Sequence, residues 1–187
     1  MIERYEKFLK EFDEILEYLF NEHKEYIHCK KGCSKCCEKG EYPFSQLEFS
    51  YLTKGYTQLP EKTRILVQQN IRNLKMDKKE FKGERFEHRC PFLINGECVV
   101  YKYRGIVCRT FGLSYYDDKE GYVRLPDCVN QGLNYSEVYD KNSKTINITN
   151  VPKINLRIDR VLKSELSEKY ELESGQIRPL LGWFEQK

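Results

Sequence analysis

His28-Cys29-Lys30-Lys31-Gly32-Cys33-Ser34-Lys35-Cys36-Cys37 is the stretch on which the fold of this chain turns. Four thiols fall within nine residues, spaced C-x3-C-x2-C-C. The stretch has no apolar periodicity, so hydrophobic burial alone does not order it. Bound metal would. Each thiolate brings charge and a soft donor atom, and close spacing lowers the entropy cost of gathering ligands round one ion.

Further along, Cys90, Cys98, Cys108 and Cys128 make a second set, C-x7-C-x9-C-x19-C, and bring the total to eight cysteines. No apolar run approaches the roughly 18–20 residues of a membrane span. Met1-Ile2-Glu3-Arg4-Tyr5-Glu6-Lys7 is helical in pattern rather than basic and then apolar, so no signal peptide is expected. The expected location is therefore the cytoplasm. Asn134-Tyr135-Ser136 and Asn147-Ile148-Thr149 then match the glycosylation pattern by chance. A reducing cytosol does not keep eight cysteines as four disulfides, so metal ligation or redox chemistry is the expectation for all eight. A buried core role is credible for one or two of them, Cys128 first.

Adjacent side chains point about 100° apart on a helix, so Cys36 and Cys37 are expected to face different sites. Eight ligands suit two four-cysteine sites, or one four-cysteine cluster plus a zinc or a redox pair. Lys30, Lys31, Lys35, Arg104 and Arg109 lie beside the cysteines and could offset thiolate charge or donate to sulfur; ordinary surface solvation explains them about as well. His23 and His88 are expected at the surface, and His28 is a poor ligand candidate. The ferredoxin spacing is absent, with Cys90-Pro91 a weak echo of it.

Around these thiols the sequence predicts an α+β fold, mainly helical, with short β-hairpins around a cysteine-rich metal-binding core. A single domain over 1–187 is expected, its core at about 27–130, with flanking helical segments over 2–26 and 153–187. Ile2, Tyr5, Phe8, Leu9, Phe12, Ile15, Leu16, Leu19 and Phe20 recur at helical spacing and predict a helix over 2–20. Ser45-Gln46-Leu47-Glu48 is a capping box for a helix through Leu52, closed by Gly55. Pro60 opens a helix to about Leu74 with a stripe of Ile65, Leu66, Ile71 and Leu74, followed by a charged linker over 77–89. Asn95-Gly96 marks a hairpin flanked by Cys90 and Cys98. A second strand pair is predicted around Asp117–Gly121, a helix over 153–170, and a docked tail carrying Ile177, Leu180, Leu181, Trp183 and Phe184. Lys and Arg number 32 against 29 Asp and Glu, a net charge of +3 too small to indicate a nucleic-acid or membrane partner.

The first cluster, followed by Cys90-Pro91-Phe92-Leu93-x2-Gly96-x-Cys98-x2-Tyr101-x2-Arg104-x3-Cys108-Arg109-x-Phe111, resembles the YkgJ-type cysteine-cluster family over roughly residues 27–130. Members are described as zinc- or iron-chelating domains, some as iron–sulfur oxidoreductases, and a related cluster occurs in flagellin lysine-N-methylases. The resemblance implies metal ligation by all eight cysteines. It makes Tyr101, Arg104 and Arg109 candidates for contact with the cofactor or a substrate. Where the family often has proline after the arginine at 104, this chain has Gly105, which should loosen the turn.

Two functions follow as expectations. One is an iron–sulfur oxidoreductase or methylase-related enzyme component acting with a protein or small-molecule partner that the sequence leaves unknown. Cys29, Cys33 and Cys36 have the spacing of radical S-adenosylmethionine enzymes, but without their long barrel or a glycine-rich nucleotide loop. The other is a structural zinc module that presents a protein-interaction surface, with closed four-ligand sites and no catalysis.

Overall fold

The computed structural model describes residues 1–30, 32–143, 145–148 and 154–185. Along the chain, α1 (Ile2–Glu22) buries Tyr5, Phe8, Leu9, Phe12, Leu16 and Leu19 along the expected stripe. One helical turn, α2 (Lys35–Glu38), carries Cys36 and Cys37. β1 (Pro43–Ser45) runs straight into α3 (Gln46–Thr57), which opens on the predicted capping box. α4 (Glu61–Glu80) starts immediately after Pro60. β2 (Leu93–Ile94) and β3 (Glu97–Cys98) form the expected hairpin, with Asn95 at φ 50° and Gly96 at φ 82° supplying the left-handed turn residues.

A 3-10 turn at Tyr101–Tyr103 leads to α5 (Ile106–Thr110), the element that carries Cys108. β4 (Tyr115–Asp117) and β5 (Tyr122–Arg124) form the second predicted strand pair. A 3-10 helix at Asp127–Gln131 holds Cys128, and β6 (Tyr139–Asp140) with β7 (Thr145–Ile146) follows. α6 (Ile158–Val161), α7 (Glu165–Lys169), β8 (Ile177–Pro179) and α8 (Leu180–Trp183) complete the described elements. The described strands pair antiparallel in twos, β1 with β8 and each other strand with its neighbour. The fold is α+β, mainly helical with small strand pairs, as the sequence predicts.

Several boundaries differ, each for a physical reason. α3 passes through Gly55 and ends at Thr57; the glycine makes room for the Tyr103 ring, which a Cβ there would meet at 2.2 Å. α4 extends to Glu80, into the segment expected to be a linker. It buries Val67, while Ile65 and Leu66 are 54% and 47% exposed. The predicted helix over 153–170 breaks in two. Ser164 Oγ donates to Val161 O at 2.8 Å to close α6, and accepts from Ser167 N at 3.3 Å to open α7. Lys153, Lys31 and Thr149 lie outside the described residues. His23 and His88, expected at the surface, are buried.

The described chain divides into two compact units. The first comprises Met1–Ile2, Gly32–Cys108 and Glu173–Lys187. Its core is Tyr42, Phe44, Leu52, Val67, Phe92, Val100, Leu180 and Trp183. The tail docks here: β8 pairs with β1 in the register Phe44↔Arg178, Leu180 N donates to Tyr42 O at 2.7 Å, and Trp183 Nε1 donates to Phe44 O at 2.9 Å.

The second unit comprises Glu3–Lys31 and Arg109–Leu172. His23 Nδ1 lies 3.0 Å from Tyr135 Oη, and Tyr135 Oη accepts from Ser114 N at 3.1 Å. Asp117, fully buried, accepts from Arg124 Nε at 2.9 Å and Arg157 Nη1 at 3.1 Å. Burial pushes its carboxyl up, but these donors outweigh burial and hold it well below the usual carboxylate range.

Candidate metal centre

In the first unit, backbone pairing brings Cys36 and Cys37 of the first set towards Cys90 of the second. Gly40 and His88 exchange both hydrogen bonds at 3.0 Å as an antiparallel bridge, and Cys90 N donates to Cys37 O at 2.8 Å. The segment after the first cluster is thereby strapped to the segment that opens the second. The hairpin then returns Cys98 opposite Leu93, and α5 places Cys108. Cys90, Cys98 and Cys108 each pack, partly buried, against the hydrophobic core of this unit.

The thiols feel one another. Cys36 and Cys37 have their sulfurs 3.9 Å apart. That contact, then burial, then the neighbouring charge push the Cys36 thiol far above its ordinary value, while Arg104 pulls it back. Burial, then Cys108, raises Cys90 strongly. Burial, then Cys98 and Cys36, pushes Cys108 up to about 12. Burial also raises Cys98, against the pull of Arg104. Tyr42 belongs to the same group: burial, then Cys90, Cys37, Cys108 and Cys36, raises its hydroxyl, which donates to His88 O at 3.2 Å. The Cys36–Cys37 contact, the Cys90 N to Cys37 O bond and the core shared by Cys90, Cys98 and Cys108 bring five thiols, from α2, the segment entering the hairpin, β3 and α5, into one region of this unit.

The adjacent pair corrects the expectation that Cys36 and Cys37 face apart. Tetrahedral zinc–sulfur bonds of about 2.3 Å place ligand sulfurs about 3.8 Å apart, and the observed 3.9 Å is compatible with both serving one ion. Among the described residues, no three His, Cys, Asp or Glu side chains already stand at positions that would hold an ion. The donor set nevertheless fits soft metals: several thiols, partly desolvated, with a guanidinium nearby.

The remaining site expectations divide. Cys33 is exposed in the first unit. Cys29, exposed, and Cys128, buried, belong to the second. His28 Nε2 lies 3.6 Å from Glu137 there. Arg104 sits with its guanidinium 3.9 Å from the centre of the Tyr101 ring, and Tyr101 is 64% exposed. Arg109, by contrast, is buried in an ion pair with Asp13 at 2.7 Å within the second unit. A cleft of about 370 Å³ borders one thiol, Cys90, between α4 and the hairpin. Its lining includes Leu66, Asn70, Leu74 and Arg89 rather than Arg104 or Arg109.

Two buried polar residues that the sequence pattern does not mark as functional hold cysteine-bearing backbone. Glu48, fully buried, spends Oε2 on Ser45 N at 2.8 Å and Ser45 Oγ at 2.7 Å, and Oε1 on Ile106 N at 2.7 Å. Gly105 permits that approach, since a Cβ there would lie 2.8 Å from Phe44 and 2.9 Å from Glu48 Oε1. It is a close-packing glycine rather than a loosened turn. In the second unit, fully buried Asn134 accepts from His28 N at 2.9 Å and Cys29 N at 2.8 Å, and donates to Gly112 O at 2.8 Å. The capping box pointed to Glu48 for α3 only. Asn134 stands out in the sequence only through a glycosylation pattern expected to be chance, and nothing there marks its hold on Cys29.

The same segment is what known proteins share with this chain. Residues 28–139, more than half of the chain, match the CxxCxxCC family, described as "Putative zinc- or iron-chelating domain". The chain belongs to the CxxCxxCC family. The YkgJ-type label fits that family, and its zinc- or iron-chelating description agrees with the thiol chemistry of the site. Relative to the family's printed spacing, this chain has one extra residue between Cys29 and Cys33, where Gly32 adopts φ 93°. No curated protein and no solved structure matches the chain. No described helix is long and apolar enough to cross a membrane.

Proposed function

We propose that this CxxCxxCC domain binds an iron–sulfur cluster or zinc through Cys36, Cys37, Cys90, Cys98 and Cys108, and acts as a redox or protein-modifying component in the cytoplasm. One observation supports this above the rest: Cys90 N donates to Cys37 O at 2.8 Å, which joins the Cys36–Cys37 pair to the segment whose Cys90, Cys98 and Cys108 pack against one core. Cys29, Cys33 and Cys128 complete the ligand candidates. An iron–sulfur cluster, when bound, supplies one-electron transfer.

The chain's own residues supply the surroundings. Cys90, Cys98 and Cys108 border a packed core that limits water on one side. Arg104 offsets thiolate charge next to Cys36 and Cys98, favouring their ionised, ligating form. Tyr101 keeps that guanidinium in place by stacking. The cleft beside Cys90 gives a partner or small molecule a way to approach that thiol.

The 3.9 Å Cys36–Cys37 spacing favours a second reading, a closed zinc site that only shapes a protein-interaction surface. Anaerobic purification separates the two. Brown protein with iron, sulfide and broad absorption near ~400 nm supports the redox component. Colourless protein with stoichiometric zinc and no iron, from cells supplied with iron, supports the structural module and overturns the redox assignment.

A further inference from the structure

We infer that Glu48 is a positioning residue of the thiol site, fixing through α5 where Cys108 stands among the other cysteines; this rests on the proposal that these thiols bind metal. A capping box needs one side-chain acceptor at this position, and glutamine serves as well as glutamate. The cap here uses Oε2 alone, through Ser45 N and Ser45 Oγ. Oε1 is committed elsewhere, to Ile106 N at 2.7 Å, the first backbone donor of α5 and two residues before Cys108. The second oxygen is therefore surplus to capping α3 and ties β1 and α3 to the helix that carries a ligand candidate.

The cost of the arrangement points the same way. A fully buried carboxylate beside a group of thiols is electrostatically unfavourable, and its charge helps raise the Cys108 thiol. A neutral cap would avoid that cost. What glutamate adds over glutamine is a second acceptor, because a glutamine amide nitrogen turned towards Ile106 N would set donor against donor. The neighbouring chain is shaped to the contact. Gly105 comes so close that any side chain there would strike Glu48 Oε1 or Phe44.

Glu48→Gln, Ser45→Ala and Gly105→Ala test the assignment in the full chain. Cobalt(II) is the metal probe, and site-resolved alkylation by iodoacetamide of metal-stripped, reduced protein is the metal-free readout. Glu48→Gln is expected to keep its helical circular dichroism, lose roughly ten-fold or more in cobalt affinity, and alkylate Cys108 several-fold faster than wild type. Gly105→Ala keeps the carboxylate whose charge itself slows Cys108, and should show the same signature from the other side of the contact, which also covers a Glu48 variant that does not fold; wild-type Cys108 reactivity in Gly105→Ala would reduce the Glu48→Gln effect to charge alone and overturn the inference. Ser45→Ala should lower the unfolding temperature while leaving the cobalt spectrum and Cys108 reactivity unchanged. Wild-type cobalt affinity and wild-type Cys108 reactivity in Glu48→Gln would overturn the inference, as would equal losses of both in Ser45→Ala. If wild type itself shows no sulfur-to-cobalt charge-transfer band, the metal proposal fails, and Cys108 alkylation in Gly105→Ala, where the Glu48 charge is kept, still decides the role of Glu48.

Discussion

Replacing Gly55 with alanine should destabilise the first unit, although helix propensity argues the reverse. Gly55 lies inside α3, where alanine is ordinarily favoured by about 0.5–1 kcal/mol. The new methyl would lie 2.2 Å from Tyr103 Cδ2, 2.3 Å from Cγ and 2.8 Å from Cβ. The ring has little freedom to yield: its hydroxyl donates to Gln58 Oε1 at 2.7 Å, and it lies tilted against the Tyr51 ring with centroids 5.0 Å apart. Overpacking of this kind costs about 1–3 kcal/mol, and the depth of overlap places it in the upper half of that range. Subtracting the propensity gain leaves a net loss of about 1–2.5 kcal/mol. Urea unfolding followed by far-ultraviolet circular dichroism should show a lower midpoint with an unchanged slope. A midpoint equal to or above wild type would refute the packing argument, since propensity alone would then have decided the outcome.

Asp117 should couple stability to acid. Its folded carboxyl is held low by Arg124 and Arg157, so its contribution is complete above the ordinary carboxylate value near ~4 and fades as pH falls below it. Asp117→Asn should cost about 1–3 kcal/mol at neutral pH and flatten the acid side of the stability curve; an unchanged acid limb speaks against the network. The buried thiols act at the other end. Their folded values are raised, so stability is full below the ordinary thiol value near ~8.5 and is lost as pH rises beyond it. Metal-stripped, reduced protein should therefore unfold at lower urea near pH ~10 than near pH ~7, and a Cys90→Ala variant should lose part of that difference. Asn134→Ala strands His28 N, Cys29 N and Gly112 O and should cost about 2–4 kcal/mol by thermal unfolding; a loss within error would mean that those groups find other partners.

What the sequence made legible was local or periodic. The α1 stripe, the Ser45–Glu48 box and the Asn95-Gly96 turn each depend on residues within a few positions of one another, and each is found. The misreadings come from contacts made at long range. Gly55 reads as a helix stop until Tyr103, 48 positions on, is seen to occupy its missing side chain. Val67 rather than Ile65 or Leu66 is buried because the rotation of α4 is set by what it packs on, and the apolar residues of that helix do not form a clean stripe. His88 reads as a surface residue, yet its pairing with Gly40 and its contact with Tyr42 bury it.

The site shows the same division. Spacing singled out the cysteines, and the family pattern added Arg104. Arg109 carries the same charge and lies nearer a cysteine in sequence, next to Cys108, but its partner Asp13 lies 96 positions away and no local pattern reveals it. Glu48 and Asn134 were hidden for a related reason: their value lies in the distant backbone groups they hold, Ile106 N in one case and Cys29 N in the other.

X-ray absorption at the edge of whichever metal the anaerobically prepared protein carries would show directly what surrounds that metal. Sulfur neighbours at about 2.3 Å are expected, with their number falling in Cys90→Ser and Cys108→Ser. A shell of nitrogen and oxygen alone, or one untouched by both substitutions, would mean that the clustered thiols are not its ligands.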